Sequence, residues 1–451
     1  MKSGAARNLN RITSSGAPAM WNDVRATWAL LVGIGFMMLG NGLQGTLLGL
    51  RATMDGFETY ITGIMMSGYF VGICLGSMFA PRLVARVGHI RVFAALASAA
   101  SIAILVHGLY VNAVTWTAMR LLTGFSYAGL YVVTESWLND RAGNENRGKL
   151  LSIYMVIVTL GLGGGQFMLN LADPRQADLF ILVSMVVSFG LIPMLLTARP
   201  APAFEMSGKM SLRELFKASP LAVISNALTG VAHGTIFGLG AVYARQSGFS
   251  VEAVSIFMAC FLFGGLLFQW PLGQWSDRKD RRVVIAAMAG AGVLLTAVAV
   301  LLPAGSAWFF AAVVLLGGMA MPLYSLCIAY ANDRLEPQQI VAASGSLVLV
   351  AGLGLSAGPI LVSFLMSAFG TGFFFSGIGG AFALIFGFAV YRMGKRAGVD
   401  AEDQTPTLAA GQIGTPVAEI SAPDAVDYVE AVISGEVEKL DEADDEVEKR
   451  L

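Results

Sequence analysis

The run from Trp28 to Leu50 holds 23 residues and no charge. A helix needs roughly 20 apolar residues to cross the hydrocarbon core of a bilayer. The apolar core of a signal peptide is only about 7–15 residues, so a cleavable leader does not fit. Further apolar runs follow at 61–82, 92–111, 115–138, 149–170, 178–198, 219–243, 253–275, 283–303, 306–331, 339–366 and 371–393. Inside lipid each segment must satisfy its own backbone polar groups, which a helix does. The sequence therefore predicts an all-α membrane protein with twelve transmembrane helices.

Composition excludes the soluble alternatives. Hydrophobic residues make up 56% of the chain, charged residues 13%, and the mean hydropathy is +0.68, whereas soluble domains carry about 25% charged residues. The formal net charge of −1 hides two unlike parts. From Gly398 onward there are 15 acids and 3 bases; before it, 15 acids and 26 bases. With the N-terminus in the cytoplasm and spans alternating, inner segments hold 22 Lys and Arg and outer segments 3, with Arg120 inside a span. Such a split is a positive-inside signal and predicts two cytoplasmic termini.

The chain repeats itself at an offset of 192–193 residues. Tyr131–Arg141 (YVVTESWLNDR) matches Tyr324–Arg334 (YSLCIAYANDR), and Gly161–Gln166 (GLGGGQ) matches Gly354–Pro359 (GLSAGP). The loop after span 2 (LVARVG) matches the loop after span 8 (WSDRKD), Arg86 against Arg278. This predicts two six-helix halves related by pseudo-two-fold symmetry, one of the known transporter plans. The expected divisions are a cytoplasmic segment 1–26, a bundle 27–198, a linker 199–218, a bundle 219–394 and an acidic tail 395–451. In the linker, Ser211 and Glu214 form a capping-box pattern for a short surface helix. The tail reads as mostly disordered, with an acidic amphipathic helix near 424–448.

Two motifs are set aside. Cys74, Cys260 and Cys327 lie in apolar runs without metal-ligand spacing and read as small buried hydrophobes. Gly143–Lys149 matches G-x-x-x-x-G-K, but Leu150 follows where Ser or Thr is needed, and no βαβ unit surrounds it. No cofactor, metal, nucleic-acid partner or enzymatic motif is expected.

Ionisable residues inside spans are costly and mark functional sites or paired networks. Arg120 shares one face of span 4 with Gly124, Tyr127, Tyr131 and Glu135, a polar stripe that should face the interior. The stripe is about 22 Å long, so Arg120 and Glu135 are too far apart to pair. Glu135 reads either as a proton carrier, burial raising its pKa, or as an inner salt-bridge partner of Arg141 or Arg147. His233 on span 7 follows Asn226 and Thr229 on the same face. It reads as a proton or ligand group, or as a packing histidine. Asn41 and Gln44 on span 1, Gln166 and Asn170 on span 5, and Gln269 and Trp270 on span 8 could line a shared midplane cavity. Each alone also suits helix–helix packing.

The loop Gly273-Gln-Trp-Ser-Asp277-Arg278-Lys-Asp-Arg281-Arg282 resembles the inner-loop signature G-x-x-x-D-R-x-G-R-R of the major facilitator superfamily, with Asp280 at the second Gly. The N-half copy, Pro81 to Arg91, keeps Leu83, Arg86 and Gly88 but has Ala85 at the Asp position. Arg120–Gly124 is similar to the R-x-x-x-G signature of span 4. Glu135–Met155 (ESWLNDRAGNENRGKLLSIYM) looks most like the YcaD-like group of bacterial inner-membrane transporters. The resemblance covers nearly the whole chain except the tail. It implies a rocker-switch transporter in which the span-4 Arg serves proton coupling or binds anionic groups. Span 5 lacks the Gly-Pro of the drug-antiporter signature, which lowers that reading without excluding efflux.

The basic loops then read as a cytoplasmic gate formed by Arg86, Gly88, Arg91, Gly273, Asp277, Arg278 and Arg281, whose pairs break as the halves rock. Plain positive-inside anchoring is the simpler reading of the same residues. The leading expectation is a monomeric, proton-coupled secondary transporter of a small neutral or anionic solute in the bacterial inner membrane. The alternative is a non-transporting sensor or assembly partner acting through the tail. A subunit of an ATP-driven transporter fits poorly, because the chain has no nucleotide domain.

Overall fold

The computed structural model describes residues 4–141, 147–196, 210–395 and 404. Their regular elements are all helical. The first half comprises α1 (Gly4–Met54), α2 (Thr59–Val87), α3 (His89–Leu109), α4 (Ala113–Arg141), α5 (Arg147–Met168) and α6 (Asp178–Leu195). A short α7 (Leu212–Ala218) precedes the second half. That half comprises α8 (Pro220–Gln246), α9 (Val251–Asp277), α10 (Arg281–Leu301), α11 (Ala307–Asn332), α12 (Pro337–Phe369) and α13 (Phe373–Met393).

The helices sit on the expected spans but overrun several of them. Hydropathy marks where a helix meets hydrocarbon, not where its hydrogen bonding stops. Thus α1 is helical from Gly4, ahead of its apolar stretch Thr27–Met54. Eleven described helices are long and apolar enough to cross a membrane. The twelfth, α4, has the length but is less apolar, because it carries Arg120, Thr123, Ser126, Thr134 and Glu135, all buried. Its polar face turns into the protein, where lipid never meets it.

The two halves repeat one another helix for helix. In the first half α1 packs on α5 and α6, α2 on α4, and α3 on α4 and α6. In the second, α8 packs on α12 and α13, α9 on α11, and α10 on α11 and α13. The seams between halves are α2 with α12, α5 with α9, and α1 with α8. These contacts carry the expected pseudo-two-fold.

Glycine sets the closest crossings. A Cβ on Gly124 of α4 would run into the Tyr69 carbonyl oxygen of α2, and one on Gly354 of α12 into the Ala227 carbonyl of α8. In lipid, helices associate by this kind of close packing rather than by hydrophobic drive.

The capping box of α7 is formed. Ser211 Oγ accepts from the Glu214 amide at 3.3 Å, and Glu214 Oε2 accepts from the Ser211 amide at 2.9 Å. The Met210 amide donates to the Ala342 carbonyl at 3.0 Å, tying this segment to α12. Residues 199–209 of the linker, and the tail helix expected near 424–448, lie outside the described residues.

Candidate functional site

The crossing of α4 over α2 builds the site. With no side chain at Gly124, the α4 backbone reaches Tyr69. One turn earlier on α4, Arg120 places its Cζ 4.4 Å from the Tyr69 ring centroid. The Tyr69 hydroxyl accepts from Asn41 Nδ2 on α1 at 3.0 Å. Three helices thus converge on one guanidinium.

Arg120 is only 2% exposed. Its Nε has no hydrogen-bond partner, and no ion pair to it forms among the described residues. A buried ion costs several kcal/mol even after relaxation. A desolvated cation–π contact returns about 2 kcal/mol. The Arg120 charge is open to a cavity, where a group bringing negative charge or acceptor oxygens could meet it.

Arg120 faces a cavity of about 620 Å³ between the halves. The first half contributes Asn41, Tyr69, Arg120, Tyr131 and Gln166 to its wall; the second contributes His233, Gln269, Trp270, Tyr324 and Asp277. The His233 ring stacks on Phe237, centroids 6.2 Å apart. Gln269 Nε2 donates to Ser325 Oγ at 3.0 Å. Gln166 stands at the wall but its amide is spent on packing. Its Oε1 accepts from Thr46 at 2.5 Å and its Nε2 donates to the Gly42 carbonyl at 3.0 Å.

Five expected cavity residues do not line it. Gln44 Nε2 donates to Thr123 Oγ1 at 3.5 Å, and the Tyr127 hydroxyl to the Met37 carbonyl at 3.1 Å. Asn226 Nδ2 donates to the Leu347 carbonyl at 2.7 Å. Glu135 is fully buried between α4 and α5, where it accepts from the Tyr154 hydroxyl at 3.0 Å. Asn170 sits in the 3-10 turn Leu169–Leu171 just beyond α5, bonded to Ser255 Oγ at 3.1 Å.

Sequence reading missed Tyr69, the nearest neighbour of the Arg120 charge. An aromatic in an apolar helix looks like core. The available signal was Gly68, Gly72 and Gly76 around it, a small-residue stripe that marks a tight crossing.

At the basic end of the bundle, Arg281 is buried and pairs with Asp333 at 2.8 Å and Asp277 at 3.1 Å. These pairs join α9, α10 and the end of α11 within one half, so rocking of the halves does not break them, contrary to the expectation for Asp277 and Arg281. Asp277 and Gly273 also line the cavity mouth. Burial pushes the Asp280 carboxyl up, but hydrogen bonds and charge from Arg282 outweigh it and hold it below 3.8. Arg86, Arg91 and Arg278 are exposed. Gly88 turns α2 into α3 with φ of 85°, a conformation that suits glycine.

A family model described as Major Facilitator Superfamily matches residues 30–253 and 222–423. The MFS-type transporter YcaD of Salmonella paratyphi A is 28% identical over 355 residues, covering 77% of this chain and 90% of the relative. YcaD of Escherichia coli is 28% identical over 349 residues, covering 76% and 90%. The crystal structure of the nucleoside transporter NupG superposes with a TM-score of 0.65 at 17% identity, covering 82% of this chain and 99% of that one. With a family model matching most of its length, over a fold whose halves repeat helix for helix, the chain belongs to the Major Facilitator Superfamily, as a transporter of the YcaD-like group.

Proposed function

We propose that this transporter is proton-coupled, lies in the bacterial inner membrane with both termini cytoplasmic, and carries a small organic solute, anionic in preference to neutral. The observation that carries the reading is Arg120: buried, without an acidic partner among the described residues, and facing the cavity. The 22-to-3 split of basic residues supports the orientation. In that orientation the cavity opens to the cytoplasm, since Ser152, Gln274 and Asp277 line it at the basic ends of α5 and α9.

The opposite end is shut by contacts between halves. Gln246 Nε2 donates to Thr59 Oγ1 at 2.8 Å, Tyr60 stacks on Phe364 at 5.5 Å, and Asn170 bonds Ser255. Alternating access parts these contacts and closes the basic end, where Arg86, Gly88, Arg91, Gly273, Asp277, Arg278 and Arg281 act as the gate. Glu135 and His233, buried in facing halves, are the groups assigned to proton movement.

Binding of labelled benzenesulfonate to the purified protein tests the reading, because a sulfonate stays ionised at all working pH values. Arg120→Ala should weaken binding at least about tenfold, as expected when one partner of a buried charge pair is truncated. Arg120→Lys should keep part of it. Binding indifferent to both changes would contradict an anion site at Arg120.

A further inference from the structure

The two pseudo-symmetric seams between the halves are not alike. Along α2–α12, Tyr60 stacks on Phe364, and Ser67 Oγ donates to the Ser356 carbonyl at 2.8 Å. Farther along, a Cβ on Gly352 would run into Cys74 Sγ. That seam is packed from one end to mid-helix, and α12 gives the cavity only Leu355. Along α5–α9 the described side-chain bond lies at the far end, Asn170 to Ser255. From there to the basic end, successive turns of both helices line the cavity, from Thr159 to Ser152 on α5 and from Leu262 to Asp277 on α9.

Five of those lining residues are also exposed: Ser152 and Gln274 toward the basic end, and three apolar ones nearer mid-helix. Val156 is 45% exposed, Leu266 38% and Trp270 71%. Leu160, one turn from Val156, and Leu267, beside Leu266 and about one turn from Trp270, are exposed without lining the cavity, so these three stand between the outer face and the cavity, on the rim of an opening. The opening lies between membrane-spanning stretches of α5 and α9, so what it meets is the hydrocarbon of the bilayer. The passage is therefore charged at its deep end, by Arg120, and apolar at its lateral rim.

We propose that the solute is an amphiphilic anion. Its charged head sits on Arg120, Tyr69 and Asn41, its hydrocarbon part lies in the α5–α9 slit, and it enters sideways from the leaflet on the basic side. This inference rests on the anion site proposed above and adds the apolar part and the route. A polar solute would leave the cavity-facing surface of Val156, Leu266 and Trp270 against water. An alkyl chain covers it and gains from burial at each methylene.

The experiment uses the full chain in lipid nanodiscs and compares ethanesulfonate, octanesulfonate and octanol. Burial of a methylene is worth about fourfold in affinity, so octanesulfonate should bind at least about a hundredfold tighter than ethanesulfonate. Trp270→Ala should weaken octanesulfonate at least about tenfold more than ethanesulfonate. Val156→Trp, or Leu266→Trp as a second plug, should slow association of octanesulfonate only. Equal affinity for the two sulfonates would overturn the amphiphile while leaving the anion site standing. Equal slowing of both sulfonates by the plug would overturn the lateral route. Octanol binding as tightly as octanesulfonate, with no effect of Arg120→Ala, would instead overturn the anion site itself. No Arg120-dependent binding of either sulfonate would overturn both.

Discussion

At the scale of single residues, the site depends on an absent side chain as much as on a charged one. Gly124 lets α4 approach α2 closely enough for Tyr69 to meet Arg120. Gly124→Val should force the helices apart and cost about 1–3 kcal/mol, as overpacking does. A lowered melting temperature in detergent, with loss of benzenesulfonate binding, would check it. The Arg281 network makes a second prediction. The side chains of Arg281 and Asp333 are each 1% exposed, while Asp277 is 34% exposed. Asp333→Asn should therefore cost about 3–5 kcal/mol, the cost of breaking a buried pair. Asp277→Asn should cost much less, and unfolding midpoints of the two variants would separate them. Arg120 was legible in the sequence because a lone cation inside a span has few innocent explanations. Tyr69, Thr46 and Phe237 were not, because their types are common in any apolar helix and only the crossing geometry brings them together.

At the scale of elements, the polar stripe of α4 was readable, but its division was not. Arg120 and Tyr131 face the cavity, while Tyr127 and Glu135 from the same stripe are held by α1 and α5. A helical wheel gives direction to within a broad sector, and the neighbouring helices decide what fills it. The α7 capping box was fully legible, because Ser-x-x-Glu is a local code that tertiary packing need not complete. It also titrates predictably. Hydrogen bonds from Ser211 hold the exposed Glu214 carboxyl below 4.5. The cap is thus strongest above that pH and is lost as pH falls through the lowered value. Ser211→Ala should move the Glu214 titration up toward 4.5, read by carboxyl NMR shifts against pH; an unmoved titration would show that the cap does not set it.

At the scale of the whole molecule, the internal repeat exposed the two halves, and their matching helix pairs follow it. The inequality of the two seams was invisible, since a degenerate repeat reports common ancestry and not how tightly each seam closes. Closure at the far end should be part of the transport cycle. With the three native cysteines replaced, Asn170→Cys and Ser255→Cys bridged by a short bis-maleimide should hold that end shut. Octanesulfonate should still bind from the basic side, while exchange across the membrane stops. Exchange at full rate in the bridged protein would mean that this end does not open. The central claim, a transporter whose solute site is the Arg120 cavity, is tested most directly by counterflow of labelled octanesulfonate in proteoliposomes. The wild type should show saturable exchange against trapped unlabelled octanesulfonate, and Arg120→Ala should reduce it at least about tenfold. Exchange unchanged in Arg120→Ala, or absent from the wild type, would contradict the account.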